Sequence, residues 1–376
     1  MAYLDNSATT AVCTAAVERM LHVMTDVYGN PSSRHAMGLR AEQELAAARE
    51  AVAALIGGKA ERVYFTSGGT EANNLCLLGA AAAFRKPMEA VTTAVEHPSV
   101  AACFDELEKQ GWKVTRVAPA ADGTISTEQI VAACTADTRL VSVMAVNNET
   151  GARFDVASMA EEVHDIAPEA IFHTDCVQAA GKLPLKAERW DIDLMSVSSH
   201  KLHGPKGCGA VYVKNKRILR PRQFGGGQEA GLRSGTEPIP AIVGFGAAAA
   251  VVRPFDEQEK HYTTLRSTLL TALADVEAVR WHLPQGGVPY IVNLSLVGHP
   301  SETVVNYLSD RGIYVSAGSA CAKGNRSSVL KAMDLPAAEI DSSLRISFCF
   351  ENTEDEVREL ASALREAAVA LQRRRA

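Results

Sequence analysis

Residues 193–213 read DLMSVSSHKLHGPKGCGAVYV. An apolar run suited to a buried strand stops near Ser198, Lys201 follows almost at once, and Gly204, Pro205 and Gly207 break the chain before a second apolar run, GAVYV. A lysine at that point gains little from packing, because lysine is almost never fully buried without a reason. A polar turn at a strand end would account for Lys201 by itself, so its surroundings decide what it is for.

Outward from this stretch, strands and helices alternate. AEQELAAAREAVAALIG (41–57) has helical spacing and ends on Gly57 and Gly58, and RVYFTS (62–67) reads as a short buried strand. A helix is expected from Thr70. The strand AVTTAVE, a helix over 98–110, the strand KVTRVA, a helix over 127–134, the strand RLVSVMAV, a helix over 156–166 and the strand AIFHTD then lead to DLMSVSS. This alternation requires crossover connections, which means an α/β fold with a mostly parallel sheet, and GAVYVK is expected to join it. Beyond residue 240 an Ala-rich helical stretch precedes VRWHL, IVNLSLV, a helix over 301–311, IYVSAG and LRISFCF, the pattern of a smaller α+β lobe. Thr353 and Glu356 form a capping box for the last helix, whose apolar stripe of Val357, Leu360, Ala361, Leu364, Ala368 and Leu371 is core packing.

Composition narrows the possibilities. A chain of 376 residues is longer than one hydrophobic core usually serves, which favours two lobes. With 38 basic against 44 acidic residues, and Arg373, Arg374 and Arg375 as its longest unbroken basic run, the chain is not expected to bind nucleic acid. The longest uncharged apolar stretch, AIVGFGAAAAVV (241–252), is short of a membrane span, and Asp5 argues against a signal peptide; a cytoplasmic protein is expected. Eight cysteines stand at 13, 76, 103, 134, 176, 208, 321 and 349 without metal-ligand or disulfide spacing, so no metal site is expected and most should be buried apolar residues.

In a parallel α/β sheet, ligands sit beyond the carboxyl ends of the strands. In VYFTSGGTEANN (63–74) the amides of Gly69 and Thr70, with the Thr70 hydroxyl, could hold a phosphate at a helix N-terminus, although Thr70 or Ser67 could equally be a helix cap. His97 stands near one strand end and Asn147 and Asn148 near another. Asp175 ends AIFHTD with Gln178 three residues on, and an acid there needs a cation or several hydrogen-bond donors to stay ionised. A phosphate cradle, an acid, a histidine and a lysine at successive strand ends are the parts of a pyridoxal 5'-phosphate site: the aldehyde needs a lysine, and the pyridine nitrogen needs an acid.

YLDNSATT, GNPSSRHAMG, FTSGGTEANN, VEHPSV, VNNETG, HTDCVQAAGK, SSHKLHGPKGCGAVYV, GGGQEAGLRSGT, SAGSACAKG and SSLRIS, in this order over almost the whole chain, resemble the NifS/IscS-like cysteine desulfurases of the class V aminotransferase group. The resemblance implies a fold-type I transferase: a large lobe (15–250) with a mainly parallel seven-stranded sheet, and a small lobe from 1–14 and 251–376. It implies that Lys201 forms the Schiff base, Asp175 pairs with the pyridinium and Gln178 meets the phenolic oxygen. Thr70, Ser198, His200 and the Gly69 amide would bind the phosphate, and His97, a catalytic residue beside Lys201 and Cys321, would stack on the ring and assist proton transfers. Arg345, helped by Asn148, would grip the substrate carboxylate, and Thr236 would reach the neighbouring subunit of a homodimer.

Cys321 lies in SAGSACAKGN, a small-residue stretch that packs a core poorly and precedes the helical SSVLKAM. In the resembled family its thiolate would take the sulfur of L-cysteine as a persulfide, leaving alanine. Two departures concern delivery. The segment after Cys321 is about two residues shorter than in longer-loop members, and the chain ends soon after its last helix, without the tail by which housekeeping members engage a scaffold. A sulfur acceptor or scaffold protein is expected but not identified. Selenocysteine lyase and class V aminotransferase are the same-fold alternatives, and a cofactor-holding partner subunit is the alternative outside catalysis.

Overall fold

The structure is a computed structural model describing residues 1–318 and 326–371. After a two-residue strand, β1 (Ala2–Tyr3), seven strands build the large sheet: β2 (Val63–Thr66), β3 (Glu89–Thr93), β4 (Lys113–Val117), β5 (Thr138–Ser142), β6 (Ile171–Asp175), β7 (Leu194–Ser198) and β8 (Gly209–Val213). Their order is β2-β8-β7-β6-β5-β3-β4, parallel except that β8 runs antiparallel to both neighbours. The Lys201 stretch is therefore a strand, a glycine-broken turn and a returning strand.

Side chains alternate between two apolar layers, as the two-residue period of a strand requires. Phe65, Val141, Phe172 and Met195 face one layer; Tyr64, Leu140, Ile171 and Leu194 face the other. Because both faces are covered, the strands read as continuous apolar runs. Helices Gly69–Ala81 and Pro98–Lys109 cover the second layer, while Ala36–Leu55, Val156–Ile166 and Ile239–Ala250 cover the first.

The C-terminal third carries β9 (Val279–Trp281), β10 (Ile291–Leu296), β11 (Ile313–Tyr314), β12 (Ser316–Ala317) and β13 (Ser343–Ser347). An antiparallel sheet runs β12-β13-β10-β9, and β11 pairs in parallel with β1. IYVSAG thus splits at Val315, where the chain changes partners from β1 to β13. Helix Glu354–Ala370 packs on this lobe behind the expected Thr353/Glu356 capping box. Val292, Leu294 and Ile346 belong to the same apolar cluster as Phe65 and Phe172, so the lobes share a core.

Two sequence expectations shift by a few residues. β5 ends at Ser142, five positions before Asn147, because beyond it the β3 side is taken by the Glu96 carboxylate, which accepts from Met144 N at 2.9 Å. Helix Gly69–Ala81 has Gly68 as its N-cap with no side-chain cap, so neither Thr70 nor Ser67 caps it. Six cysteines are buried and Cys13 is partly so; Cys321 and the arginines at 373–375 lie outside the described residues.

The glycine-rich stretch 225–236 is pinned by a residue that sequence reading passed over. Glu229, at φ +49°, accepts from Nη1 and Nη2 of Arg49 (2.6 and 2.8 Å) and from Phe65 N at 2.9 Å. Its side chain is 2% exposed. Removing one partner of a buried pair strands the other, so Glu229→Ala should lower unfolding free energy by about 3 kcal/mol in chemical denaturation; a loss below about 1 kcal/mol would show that the pair does not anchor this stretch.

Candidate active site

Beyond the carboxyl ends of β6 and β7 the lobes enclose a cavity of about 640 Å³. Ten of the twelve residues given a site role from the sequence line it: Gly69, Thr70, His97, Asn148, Asp175, Gln178, Ser198, His200, Lys201 and Arg345. Thr236 does not line it and is exposed in its own chain, and Cys321 lies outside the described residues. Gly318 and Arg326, which bracket residues 319–325, both stand on the cavity wall.

Lys201 sits at the base. A one-turn 3-10 helix, Ser199–Lys201, lifts it off the end of β7, and its Nζ donates to the carbonyls of Ser7 and Ala8 at 2.6 and 2.7 Å. Behind it, buried Lys182 donates to the Lys201 carbonyl at 2.8 Å, and burial first, then the charge of Lys201, pushes its pKa down to about 7. Lys182 does not line the cavity.

One end of the cavity is an anion cradle. The uncapped N-terminus of helix Gly69–Ala81 opens there, and the buried Ser198 Oγ has no protein partner. A Cβ on Gly69 would come within 2.9 Å of Val177 Cγ2, so only glycine lets the backbone lie this close. His200 contacts Thr9 Oγ1 through Nδ1 at 3.2 Å, and burial, reinforced by Lys201, Lys206 and Lys182, lowers its pKa to about 4. It is a neutral hydrogen-bonding residue there.

At the other end Asp175, 4% exposed, accepts from Val177 N at 2.9 Å and from Asn73 Nδ2 at 2.7 Å. Asn73 also donates to Ser99 Oγ at 2.9 Å, and Ser99 Oγ lies 2.8 Å from His97 Nδ1. Because His97 Nδ1 accepts from Ser99 N–H, the neutral ring carries its proton on Nε2. Burial, ahead of the opposing effect of Asp175, lowers the His97 pKa. His97 is also the N-cap of helix Pro98–Lys109, so its structural role and its place in the cavity coincide. Gln178 donates through Nε2 to Ser7 O at 3.0 Å, and its buried Oε1 has no protein partner.

The third corner is cationic. Arg345 donates to Asp5 Oδ1 (2.8 Å), Asn148 O (3.1 Å) and Ser316 Oγ (3.2 Å), and its buried Nε is left unpaired. Asn148 thus meets Arg345 through its backbone, whereas the Asn147 side chain serves the turn by accepting from Glu149 N and Thr150 N. An acid that holds bonds at both oxygens, an anion cradle and a neutral histidine arranged around a lysine are a donor set that fits pyridoxal 5'-phosphate. Asn73, Ser99, Asp5 and Glu149 escaped sequence reading. TEANN alone offers a signal for Asn73, which lies one helical turn after the cradle.

A family model described as aminotransferase class-V matches residues 2–360. Among similar proteins are a NifS/IcsS protein homolog of Lactobacillus delbrueckii subsp. bulgaricus, 42% identical across 97% of each chain, and a cysteine desulfurase of a Nostoc species, 39% identical across 94% of this chain and 90% of that one. Among solved structures, a NifS-like protein superposes with a TM-score of 0.93 at 36% identity, covering 98% of this chain and 100% of the other. A structure described as SspA in complex with cysteine gives 0.82 at 31% identity, covering 93% and 99%.

Lys182 generates a pH prediction. Its folded pKa of about 7 lies below its ordinary 10.5, so between these values the unfolded chain binds the extra proton and stability rises with pH. Lys182→Met should remove that rise: the free-energy difference between parent and variant should favour the variant most below pH 7 and move toward the parent as pH approaches 10.5. Parallel stability profiles would show that Lys182 keeps an ordinary pKa.

Proposed function

We propose, from the premise that this chain belongs to the aminotransferase class-V family, that it is a cysteine desulfurase converting L-cysteine to L-alanine and passing the sulfur to Cys321 as a persulfide. One observation carries this reading. A single cavity gathers Lys201, Asp175, the anion cradle and Arg345, and its wall includes Gly318 and Arg326 on either side of the segment that holds Cys321. The family works with pyridoxal 5'-phosphate. Asp175 would hold the ring nitrogen, and the Gly69 and Thr70 amides, Ser198 and His200 would hold the phosphate. His97 would lie against the ring, with Gln178 near the phenolic oxygen. When bound, the cofactor supplies the electron sink that makes the substrate Cα proton acidic.

The chain's own residues supply the rest. Arg345 and Asn148 hold the substrate carboxylate, and Lys201 takes the Cα proton. The Cys321 thiolate attacks the substrate sulfur. A sulfur–sulfur bond forms as the carbon–sulfur bond breaks, and the electron pair stays on the carbon, which takes up a proton to become the methyl group of alanine. The persulfide then goes to an acceptor for iron-sulfur cluster assembly or thiolation.

The large lobe is taken as 15–250 and the small lobe as 1–14 with 251–376. Exposed Val17, Leu21 and Met24 stand at helical spacing on helix Thr14–Thr25, an apolar stripe suited to a second copy of the chain. Exposed Thr236 would reach that copy's phosphate. Among the described residues no single helix is long and apolar enough to cross a membrane. A cytoplasmic location belongs to the proposal.

The test is to supply L-cysteine with a reductant to the cofactor-loaded protein and assay sulfide and alanine together. Equal yields, both abolished in Cys321→Ala while the cofactor's visible absorbance persists, are expected. Alanine formation indifferent to Cys321 would overturn the desulfurase assignment, and borohydride reduction that still fixes the cofactor covalently to Lys201→Ala would overturn the role of Lys201.

A further inference from the structure

Glu149 stands on the cavity wall beside Asn148, and neither the lysine chemistry nor the cofactor cradle uses it. Its backbone is fixed at both ends: its N–H donates to Asn147 Oδ1 at 2.9 Å, and its carbonyl accepts from Asn293 Nδ2 at 3.2 Å. Its carboxylate accepts from Ser327 Oγ at 2.5 Å, and Ser327 in turn caps helix Ser328–Ala332. The acid is thus held in place on the same wall as Arg345.

The charges around it do not balance. Asp5 already pairs with Arg345 at 2.8 Å, so Glu149 adds a second negative group near a single guanidinium. The other guanidinium on this wall, Arg326, is bound through Nε and Nη2 to both Asp341 oxygens at 2.6 and 2.8 Å. Burial raises the Glu149 pKa above its ordinary value, and the Ser327 hydrogen bond and the charge of Arg345 offset only part of that rise, so the acid carries its charge most fully at alkaline pH, where the comparison below is made.

In the desulfurase reading, a substrate with its α-carboxylate on Arg345 and its α-amine toward Lys201 would turn its β-substituent toward the wall formed by Gly318, Arg326 and Ser327, because Cys321 is joined to that wall, three positions after Gly318 and five before Arg326. Ser327 is the residue Glu149 binds. Building on the proposed desulfurase reading, we infer that Glu149 is a specificity-determining residue that admits a neutral β-substituent such as a thiol and repels an anionic one such as a carboxylate or sulfinate. Like charges brought together out of water oppose binding strongly, and even after screening the penalty corresponds to a factor of about ten or more in affinity.

L-Aspartate and L-asparagine are near-isosteric and differ in charge, so their dissociation constants on the cofactor-loaded protein at alkaline pH, read from the change in visible absorbance, isolate the effect. The parent should bind asparagine at least about tenfold more tightly than aspartate. Glu149→Gln, which keeps an acceptor for Ser327 and removes the charge, should reduce that preference about tenfold. Ser327→Ala, which removes the hydrogen bond and keeps the charge, should leave the preference in place. If the glutamine variant does not fold, Glu149→Met also removes the charge and is judged against the same Ser327→Ala control. An unchanged preference without the charge, or an equal loss in Ser327→Ala, overturns the inference. Alanine production from L-cysteine is measured on the same parent sample: if it is absent, the desulfurase reading falls and this inference with it; if it is present and the preference does not move, the inference alone falls.

Discussion

Two backbone carbonyls, those of Ser7 and Ala8, receive the Lys201 amine, and the placement of the whole cavity depends on the segment that carries them. Along that segment Asp5 holds Arg345, the Ser7 carbonyl also accepts from Gln178, and Thr10 N donates to His200 O at 2.9 Å. One short stretch therefore sets the distance between the lysine, the ring-binding residues and the carboxylate-binding arginine. It is itself tied to the small lobe where β1 pairs with β11 and Ser7 N donates to Ser347 Oγ at 2.8 Å.

The sheet meets this segment with an edge that is polar at some cost. Glu96 is fully buried, its pKa is pushed up to about 8 by burial, and it is held by Thr93 Oγ1 and Met144 N. His173, inside β6, is driven down to about 3 and bridges Ser142 and Ser196. Buried polar groups of this kind are tolerated when hydrogen-bonded, and they fix the strand ends in one register. Asp175 lies two residues beyond His173, and that fixed register is what aims it into the cavity.

Much of this was legible in the sequence, and the reason is periodicity. Strands covered on both faces appear as apolar runs, and polar residues that end such runs, Asp175 and Lys201 among them, stand out because burial gives them no other purpose. The partners were not legible. Asp5 and Arg345 are separated by 340 positions, and nothing local to either announces the other. Asn73 reads as an ordinary helical residue until the fold brings Asp175 within 2.7 Å. Glu149 looks like part of a turn, which its backbone is, while its side chain faces the cavity. The antiparallel direction of β8 was hidden as well, because an apolar strand has the same pattern in either sense.

The most direct measurement is to reduce the pyridoxal phosphate-loaded protein with borohydride, digest it and locate the phosphopyridoxyl group by peptide mass. Lys201 lines the cavity, whereas Lys182, with the depressed pKa that would otherwise make it the readier nucleophile, lies behind it against the Lys201 carbonyl. The group is expected on Lys201 alone. Its appearance on Lys182, or on no lysine, would contradict the account.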